Sequence, residues 1–558
     1  MKKTILFLAL IFISANSVTY SQMWMRSYNG SGNGNDVSRA VRFDAADNVY
    51  ITGYTTVTGG SKNIITIKYD PAGNLQWSAV YNGTGNGSDE AYAITLDAAA
   101  NVYIAGYTTG NNSGRDIITI KYNSNGIQQW AARYTSPGNY PDEAYAITLD
   151  NAGNTYVAGY SYDEQFDNQM TVIKYNPAGV QQWIAKYGNS GSENKTDVAY
   201  AITIDAANNI YVAGSSSNSG TGKDFTTIKY NSSGVQQWVK KYNGSANDDD
   251  EAYAITIDAA SNIYVTGYTS GGNTGKDYLT IKYNSAGTQQ WLSTYNNSSA
   301  NRDDIPRAIY VTNNNDVIVT GSSMSSNAAN SEDYLTINYN SANGSVVFAA
   351  RYNDTIANSS DIAYAIGVAT SGSADNISTN AIYITGSSRQ TPSAGSEDIV
   401  TLKYNPAGVL QQKFRIVNPG PDAAYDINVD SHKNFVLAGY LSTTTNGLDM
   451  VAAKYAAPDI LSITNLESGV PKAFRLYQNY PNPFNPSTNI KFGVSAPGIV
   501  KLVIFDGLGR EVMTPVNEFL NAGYYEISVP MGSLSSGLYF YKMSSSTFTD
   551  LKKMILLK

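Results

Sequence analysis

One segment of this chain recurs, and the recurrence limits what the chain can fold into more than any other feature. The stretch opening at Asp89, DEAYAITLDAAANVYIAGYTTGNNSGRDIITIKYNSNGIQQW, has eight copies, with opening aspartates Asp36, Asp89, Asp142, Asp197, Asp250, Asp304, Asp361 and Asp422. The spacings by subtraction are 53, 53, 55, 53, 54, 57 and 61 residues, and the longer ones hold insertions such as SGSADNISTN at 371–380. A period of this size belongs to repeat architectures, where each unit buries its apolar face only against a neighbour.

Each copy reads as four short strands, A to D: AYAITLD, NVYIAGY, DIITIKYN and QQWAARY. Alternation in strand A puts Ala91, Ala93 and Thr95 on one face and Tyr92, Ile94 and Leu96 on the other. The A–B link at 97–101 and the C–D link at 123–126 are short enough for tight turns, and Gly126 supplies a positive φ to the second. High glycine (48) and tyrosine (44) suit turns and pleated, half-buried surfaces. Four strands recurring every ~40–50 residues are the unit of a β-propeller blade. The eighth copy stops after strand C at Lys454-Tyr455, while Gln22-Met-Trp-Met-Arg-Ser-Tyr28 matches the strand D at Leu75–Tyr81. A displaced strand of this kind would complete the last blade, and an open solenoid has no use for it. The expected fold class is therefore all-β: an eight-bladed β-propeller over 22–455, closed by the N-terminal strand, with a small C-terminal β-sandwich after it.

All six tryptophans, Trp24, Trp77, Trp130, Trp183, Trp238 and Trp291, share one strand-D position, with Phe348 and Phe414 in the other two copies. An aromatic ladder for sugars is one reading. Packing of large rings between neighbouring sheets explains a position repeated in every copy better, so these are structural positions. The lysine before the strand-C tyrosine (Lys68, Lys121, Lys174, Lys229, Lys282, Lys403, Lys454) reads likewise as a repeated surface or inter-blade contact. The copies resemble the bacterial β-propeller repeats known as SBBP, in which D-x-A-x-x-I-x-x-D…N-x-Y-V-x-G precedes D-x-x-x-x-K-Y-x-x-x-G. The resemblance covers about 22–455 and implies a propeller in an extracellular setting, without an active site.

Lys2 and Lys3, an apolar run from Ile5 to Ile13, and Thr19 and Ser21 before Gln22 describe a secretory signal peptide over 1–21. No apolar run reaches the roughly 20 residues a membrane span needs, so an integral membrane protein is not expected. The net charge of −8 and the pI near 4.9 argue against nucleic acid as a partner. With Cys 0 there are no disulfides and no thiolate metal sites.

After Tyr455, residues 456–473 read as a linker containing Pro458 and Pro471, and 474–558 as a small β-sandwich. Its expected strands are 489–494, 500–506, 524–529, 538–543 and 552–558. Tyr480-Pro-Asn-Pro-Phe-Asn-Pro486, Ile504-Phe-Asp-Gly-Leu-Gly-Arg510, Leu520-Asn-Ala-Gly-Tyr524, Leu534-Ser-Ser-Gly-Leu-Tyr539 and Lys553-Met-Ile-Leu-Leu-Lys558 follow in order. Together they resemble the type A C-terminal sorting domain of the type IX secretion system. That resemblance implies an address read by the export machinery at the outer membrane, the product being released or surface-attached.

Chemistry is sparse. The one histidine, His432, lies in the eighth A–B turn and reads as a solvated residue. No nucleophile–base arrangement, phosphate loop or zinc motif is present, so no catalytic residue, metal ligand or cofactor is assigned and the chain is not expected to be an enzyme. The loop-end acids Asp89, Asp142, Asp197, Asp250, Asp304, Asp361 and Asp422 are expected to ring the mouth of a central channel. Asp116, Asp224, Asp277, Asp333, Asp398 and Asp449 are placed further out. Their recurrence favours hydrogen bonding to loop amides over Ca²⁺ ligation. A unique site would break the repeat symmetry, as Asp248-Asp-Asp-Glu251 and the sixth to eighth copies do. The expected function is a secreted or cell-surface binding or structural protein. Its partners are the type IX machinery and a glycan, protein or cell-envelope ligand that the sequence does not name. The alternative is a carbohydrate-active enzyme with paired carboxylates.

Overall fold

The computed structural model describes residues 22–557 except 112–113, 163–166, 189–195, 219, 299, 326–331, 355–359, 370–380, 390–396, 444–446, 457–462, 468, 470, 521, 532–533 and 546–547. The expected signal peptide lies outside the described residues. Every regular element among the described residues is a β-strand, and the chain forms two compact units, one of them Gln22–Tyr455 and the other containing Ala456–Lys558.

The first unit is a series of eight four-stranded antiparallel sheets. In the first, Val37–Phe43, Val49–Thr56, Lys62–Tyr69 and Leu75–Tyr81 lie in chain order, which is strand order A to D. The next six repeat the pattern. In the last, Ala423–Val429, Phe435–Thr443 and Gly447–Tyr455 are joined by Gln22–Tyr28, which pairs antiparallel with Gly447–Tyr455. Each strand A packs against the strand A of the next sheet, and Ala423–Val429 packs against Val37–Phe43. Ser38 Oγ donates to the carbonyls of Gly439 and Val451 at 2.8 and 3.0 Å, and Val41 N donates to Asp426 at 2.9 Å. One apolar cluster there joins Trp24, Val41, Val49 and Ile65 to Val436, Met450 and Ala452.

Local chemistry explains the turns. In the second copy Asp97 accepts from the amides of Ala99 and Asn101, from Asn101 Nδ2 and from the Tyr103 hydroxyl, at 2.7 to 3.1 Å. The spacing D-x-x-x-N-x-Y is thus a turn with its own polar core. The tryptophans link sheet to sheet. Each indole Nε1 donates to a carbonyl in the C–D turn of the next sheet: Trp24 to Pro71, Trp77 to Ser124, Trp130 to Pro177, Trp183 to Ser232, Trp238 to Ser285 and Trp291 to Ser341. The glycine of that turn has φ near +80° and lies flat on the ring; a Cβ at Gly73 would come 2.6 Å from Trp24. Trp24 and Trp291 are buried and the other four are half-buried. Lys68, Lys174, Lys229 and Lys282 reach the same carbonyls or their equivalents, at 2.8 to 3.3 Å.

The second unit has two four-stranded sheets around one core that includes Phe492, Leu502, Ile504, Ile527 and Tyr541. One sheet is Ile463–Glu467, Gly523–Pro530, Ser487–Val494 and Arg475–Leu476; the other is Glu511–Leu520, Gly498–Asp506, Gly537–Ser544 and Thr549–Leu556. Three strands depart from the sequence expectation, the shortest being Arg475–Leu476, which pairs with Ser487–Val494. Ile463–Glu467 falls in the expected linker 456–473 yet pairs with Gly523–Pro530. Glu511–Leu520 was hidden by Pro515, which breaks a strand pattern; it is an edge strand, and its register shifts between Met513 and Val516, where a missing amide costs no ladder bond.

Candidate functional site

The loop-end aspartates do not line a channel mouth. All are buried, at 0 or 1% exposure, because each carboxylate ties its own loop together. Asp89 accepts from Gly83 N at 2.7 Å, Thr108 Oγ1 at 2.7 Å and Thr109 N at 2.9 Å. Asp36, Asp142 and Asp250 likewise join an amide six residues earlier to one 20 residues later. Burial raises the pKa of Asp36, Asp89, Asp142, Asp250 and Asp304 against the opposing effect of these hydrogen bonds. Further out, Asp116, Asp333 and Asp398 form ion pairs with Arg133, Arg351 and Arg415 of strand D.

Another set of residues does converge. Every strand A carries a β-bulge at the same offset: the register jumps between Ser38 and Ala40, Ala91 and Ala93, Ala144 and Ala146, Ala199 and Ala201, Ala252 and Ala254, Pro306 and Ala308, Ala363 and Ala365, and Ala424 and Asp426. The extra residues are Arg39, Tyr92, Tyr145, Tyr200, Tyr253, Arg307, Tyr364 and Tyr425. A bulge re-aims a side chain, and here it separates Tyr92 from the face of Ile94, against the strict alternation expected. Ile94 joins the apolar cluster of Ile104 and Ile118, while Tyr92 meets Tyr145 at 5.2 Å between ring centroids. The contacts run on through Tyr145–Tyr200 at 5.9 Å, Tyr200–Tyr253 at 5.5 Å and Tyr364–Tyr425 at 5.3 Å. Arg307 lies 5.3 Å over Tyr364, and Arg39 lies 4.8 Å over Tyr425. All eight are half-buried.

Carboxylates and cations support these contacts. Glu90, Glu143 and Glu251, each directly after a loop-end aspartate, are buried and paired with Lys62, Arg115 and Lys223 at 3.4, 2.6 and 2.7 Å. Glu90 also pairs with Arg39 at 2.8 Å, and Glu143 accepts from the hydroxyls of Tyr92 and Tyr145. Burial first, then the nearby glutamates, push the phenols of Tyr54 and Tyr107 up to about 12 and raise those of Tyr92, Tyr145, Tyr200 and Tyr253. These hydroxyls therefore stay protonated and act as neutral donors. The arrangement offers aromatic faces, hydrogen-bond donors and fixed charges to a ligand. The sequence signal for it was available: the third residue after each loop aspartate is tyrosine in six copies and arginine in two.

His432 is exposed but not simply solvated. Its Nδ1 lies 2.6 Å from Asp47 Oδ2 in the first copy's A–B turn, and Ser431 donates its amide and hydroxyl to the same carboxylate. Asp47, Asp430 and His432 bring ligand-type atoms within 4.8 Å of one another. The Lys454 ammonium, 2.8 Å from Asp430 and buried with it, already supplies the positive charge a metal would bring.

Residues 478–557 match the family described as the secretion system C-terminal sorting domain. The chain carries a type IX sorting domain. Such a domain marks proteins exported by type IX secretion to the cell surface or the extracellular space. Residues 237–273 match the family described as the beta-propeller repeat, which spans strand D of the fourth sheet to strand B of the fifth. The chain is 26% identical over 202 residues to an uncharacterized WD repeat-containing protein of Acanthamoeba polyphaga mimivirus, covering 36% of this chain and 12% of that protein. It is 30% identical over 129 residues to the regulatory protein FlaEY of Caulobacter vibrioides, covering 20% of this chain and 13% of that one. The chain thus spans about an eighth of the length of these curated relatives. Among solved structures, a fungal alcohol oxidase in complex with copper aligns with 97% of this chain and 100% of its own at 11% identity and TM-score 0.38. The WD40 domain of SCAP from fission yeast aligns with 78% of this chain and 98% of its own at 10% identity and TM-score 0.38. Scores this low carry no argument. Among the described residues no helix is long and apolar enough to cross a membrane.

Proposed function

We propose that residues 22–455 form a closed eight-bladed β-propeller that works outside the cell as a binding protein, its ligand seated on the ring of bulged tyrosines and arginines. The borrowed strand Gln22–Tyr28 and the packing of Ala423–Val429 on Val37–Phe43 support closure. In this reading residues 1–21 are a signal peptide, and the sorting domain takes in Ile463–Glu467 as well as 474–558. One observation carries the binding role: eight bulges place eight large side chains in two touching runs, Tyr92 to Tyr253 and Arg307 to Arg39, half-buried rather than sealed in a core. Packing alone does not require the least regular residue of every inner strand to be a tyrosine or an arginine.

The test is titration of the mature protein against a panel of soluble polysaccharides and cell-envelope extracts. Tyr145→Ala with Tyr200→Ala should abolish binding, whereas Trp130→Ala, on the far side of the sheet from strand A, should leave it unchanged. Loss of binding in the Trp130 variant with the tyrosine variants unaffected would refute the assignment. Accumulation of reducing ends during the same incubations would replace binding with cleavage.

A further inference from the structure

The ring is not uniform, and its irregularity is concentrated at one seam. In three seams a cation at the start of strand C pairs with the glutamate of the next copy: Lys62–Glu90, Arg115–Glu143 and Lys223–Glu251. At the seam between the fifth and sixth sheets the cation is kept as Lys276, but the glutamate position holds Ile305. Two residues on, the ring tyrosine is replaced by Arg307. The loss of an acid and the gain of a base coincide.

Among the described residues neither cation has a carboxylate within ion-pair distance. Lys276 Nζ lies 4.0 Å over the Tyr268 ring, and Arg307 lies over Tyr364 with its buried Nε lacking any hydrogen-bond partner. The nearby acids are committed elsewhere. Asp303 accepts the Lys276 backbone amide, Asp277 accepts from Thr274 Oγ1, Asp304 from Ser323 and Asn297, Glu332 from Ser360, and Glu251 pairs with Lys223. Asp277, adjacent to Lys276 in one strand, projects to the opposite face. Lys276 and Arg307 thus flank Tyr253 and Tyr268 as two cations without an ion-pair partner among the described residues, while Glu251 beside the same rings is already paired with Lys223.

We infer that this seam is an anion subsite and that the ligand is an acidic glycan. The inference rests on the ring being the binding site. A sugar unit lays its flat C–H face on a ring tyrosine, and its carboxylate or sulfate accepts from Arg307 and Lys276. Arginine suits a planar or tetrahedral oxyanion because its guanidinium donates from a fixed fork. The series of aromatic faces continuing from Tyr253 through Tyr200 and Tyr145 to Tyr92 fits successive sugar units of a polymer.

The experiment titrates the mature full-length protein with polygalacturonate, dextran sulfate, neutral dextran and polyglutamate. Polygalacturonate or dextran sulfate should bind, with affinity falling as salt rises, and whichever binds more tightly distinguishes carboxylate from sulfate. Arg307→Gln and Lys276→Gln should each weaken that binding about tenfold, the effect of losing one charge-assisted hydrogen bond. Lys174→Gln, whose ammonium meets the Ser232 carbonyl in a C–D turn away from strand A, should leave it nearly unchanged. Unaltered acidic-glycan affinity in both variants, with Tyr145→Ala abolishing it, would overturn the anion subsite and leave the ring standing. Failure of all four polymers would overturn the acidic-glycan subsite, and the ring falls with it if the cell-envelope extracts also fail to bind. Arg307-dependent binding of polyglutamate as tight as that of either acidic glycan would overturn the glycan in favour of an acidic peptide.

Discussion

The contact of Trp24 with Gly73 supports a double-mutant cycle across the point where the N-terminal strand meets the first sheet. Trp24 is 5% exposed, packs on Tyr69 at 5.7 Å and donates from Nε1 to Pro71 O at 3.0 Å. Trp24→Ala should cost about 3–5 kcal/mol, the range for removing a buried aromatic side chain. Trp24→Phe keeps most of the packing and should cost about 1 kcal/mol for the lost hydrogen bond. Gly73 has φ +82°, and its missing Cβ would lie 2.6 Å from Trp24 Cγ and Cδ2. Gly73→Ala therefore meets two penalties: about 1–2 kcal/mol for the left-handed backbone and a further cost for displacing a ring held on both sides. Only the first persists when Trp24 is already alanine. The double variant should be more stable than the sum of the singles allows, by about 1 kcal/mol or more. Urea unfolding of the mature chain followed by circular dichroism at constant m-value measures all four corners of the cycle. Additivity within about 0.5 kcal/mol, or a Trp24→Ala cost no larger than that of the half-buried Trp130→Ala, would refute the reasoning.

Deleting residues 22–30 should expose the edge of Gly447–Tyr455, visible as concentration-dependent aggregation in light scattering. Asp89→Asn should cost about 2 kcal/mol, since a buried amide donor would then face the donors of Gly83 and Thr109; a urea midpoint within error of wild type would discount the clamp. Burial raises Asp361 to about 7 and Asp422 to about 8. The native chain holds these protons where unfolded carboxyls near 4 have released them, so stability should fall as pH rises from about 4 to about 8 and level off above that. Asp422→Asn should flatten that slope, and a slope of the opposite sign would rule the account out. Residues 456–558 fused to a signal-peptide-bearing reporter should carry it across the outer membrane of a type IX-competent host, whereas the chain lacking 456–558 should stay in the periplasm. Equal periplasmic retention of the reporter with and without the fusion would count against an autonomous address.

What could be read from the sequence followed from how each feature repeats. Strand alternation, glycine turns and D-x-x-x-N-x-Y recur in most copies, so each copy corroborates the others, and the displaced strand Gln22–Tyr28 stands out as the one piece out of order. Glu511–Leu520 has no second copy, so Pro515 alone was enough to disguise it. The bulges were hidden for a different reason. One extra residue in a seven-residue strand changes neither composition nor hydrophobicity, and it appears only when the partner strand fixes the register, as Ala91 opposite Gly106 and Ala93 opposite Ala105 do here. Without the bulge Tyr92 counts as a core residue beside Ile94. With it, the same tyrosine belongs to a surface shared by all eight sheets. The copies differ at the position that bulge re-aims: a tyrosine kept only for packing has no reason to become Arg39 or Arg307, because a guanidinium cannot fill an apolar slot without a partner. Tolerance of arginine at that offset therefore marks a surface that meets solvent or a ligand, and the loss of glutamate at Ile305 beside Arg307 leaves Lys276 without the ion pair its counterparts make.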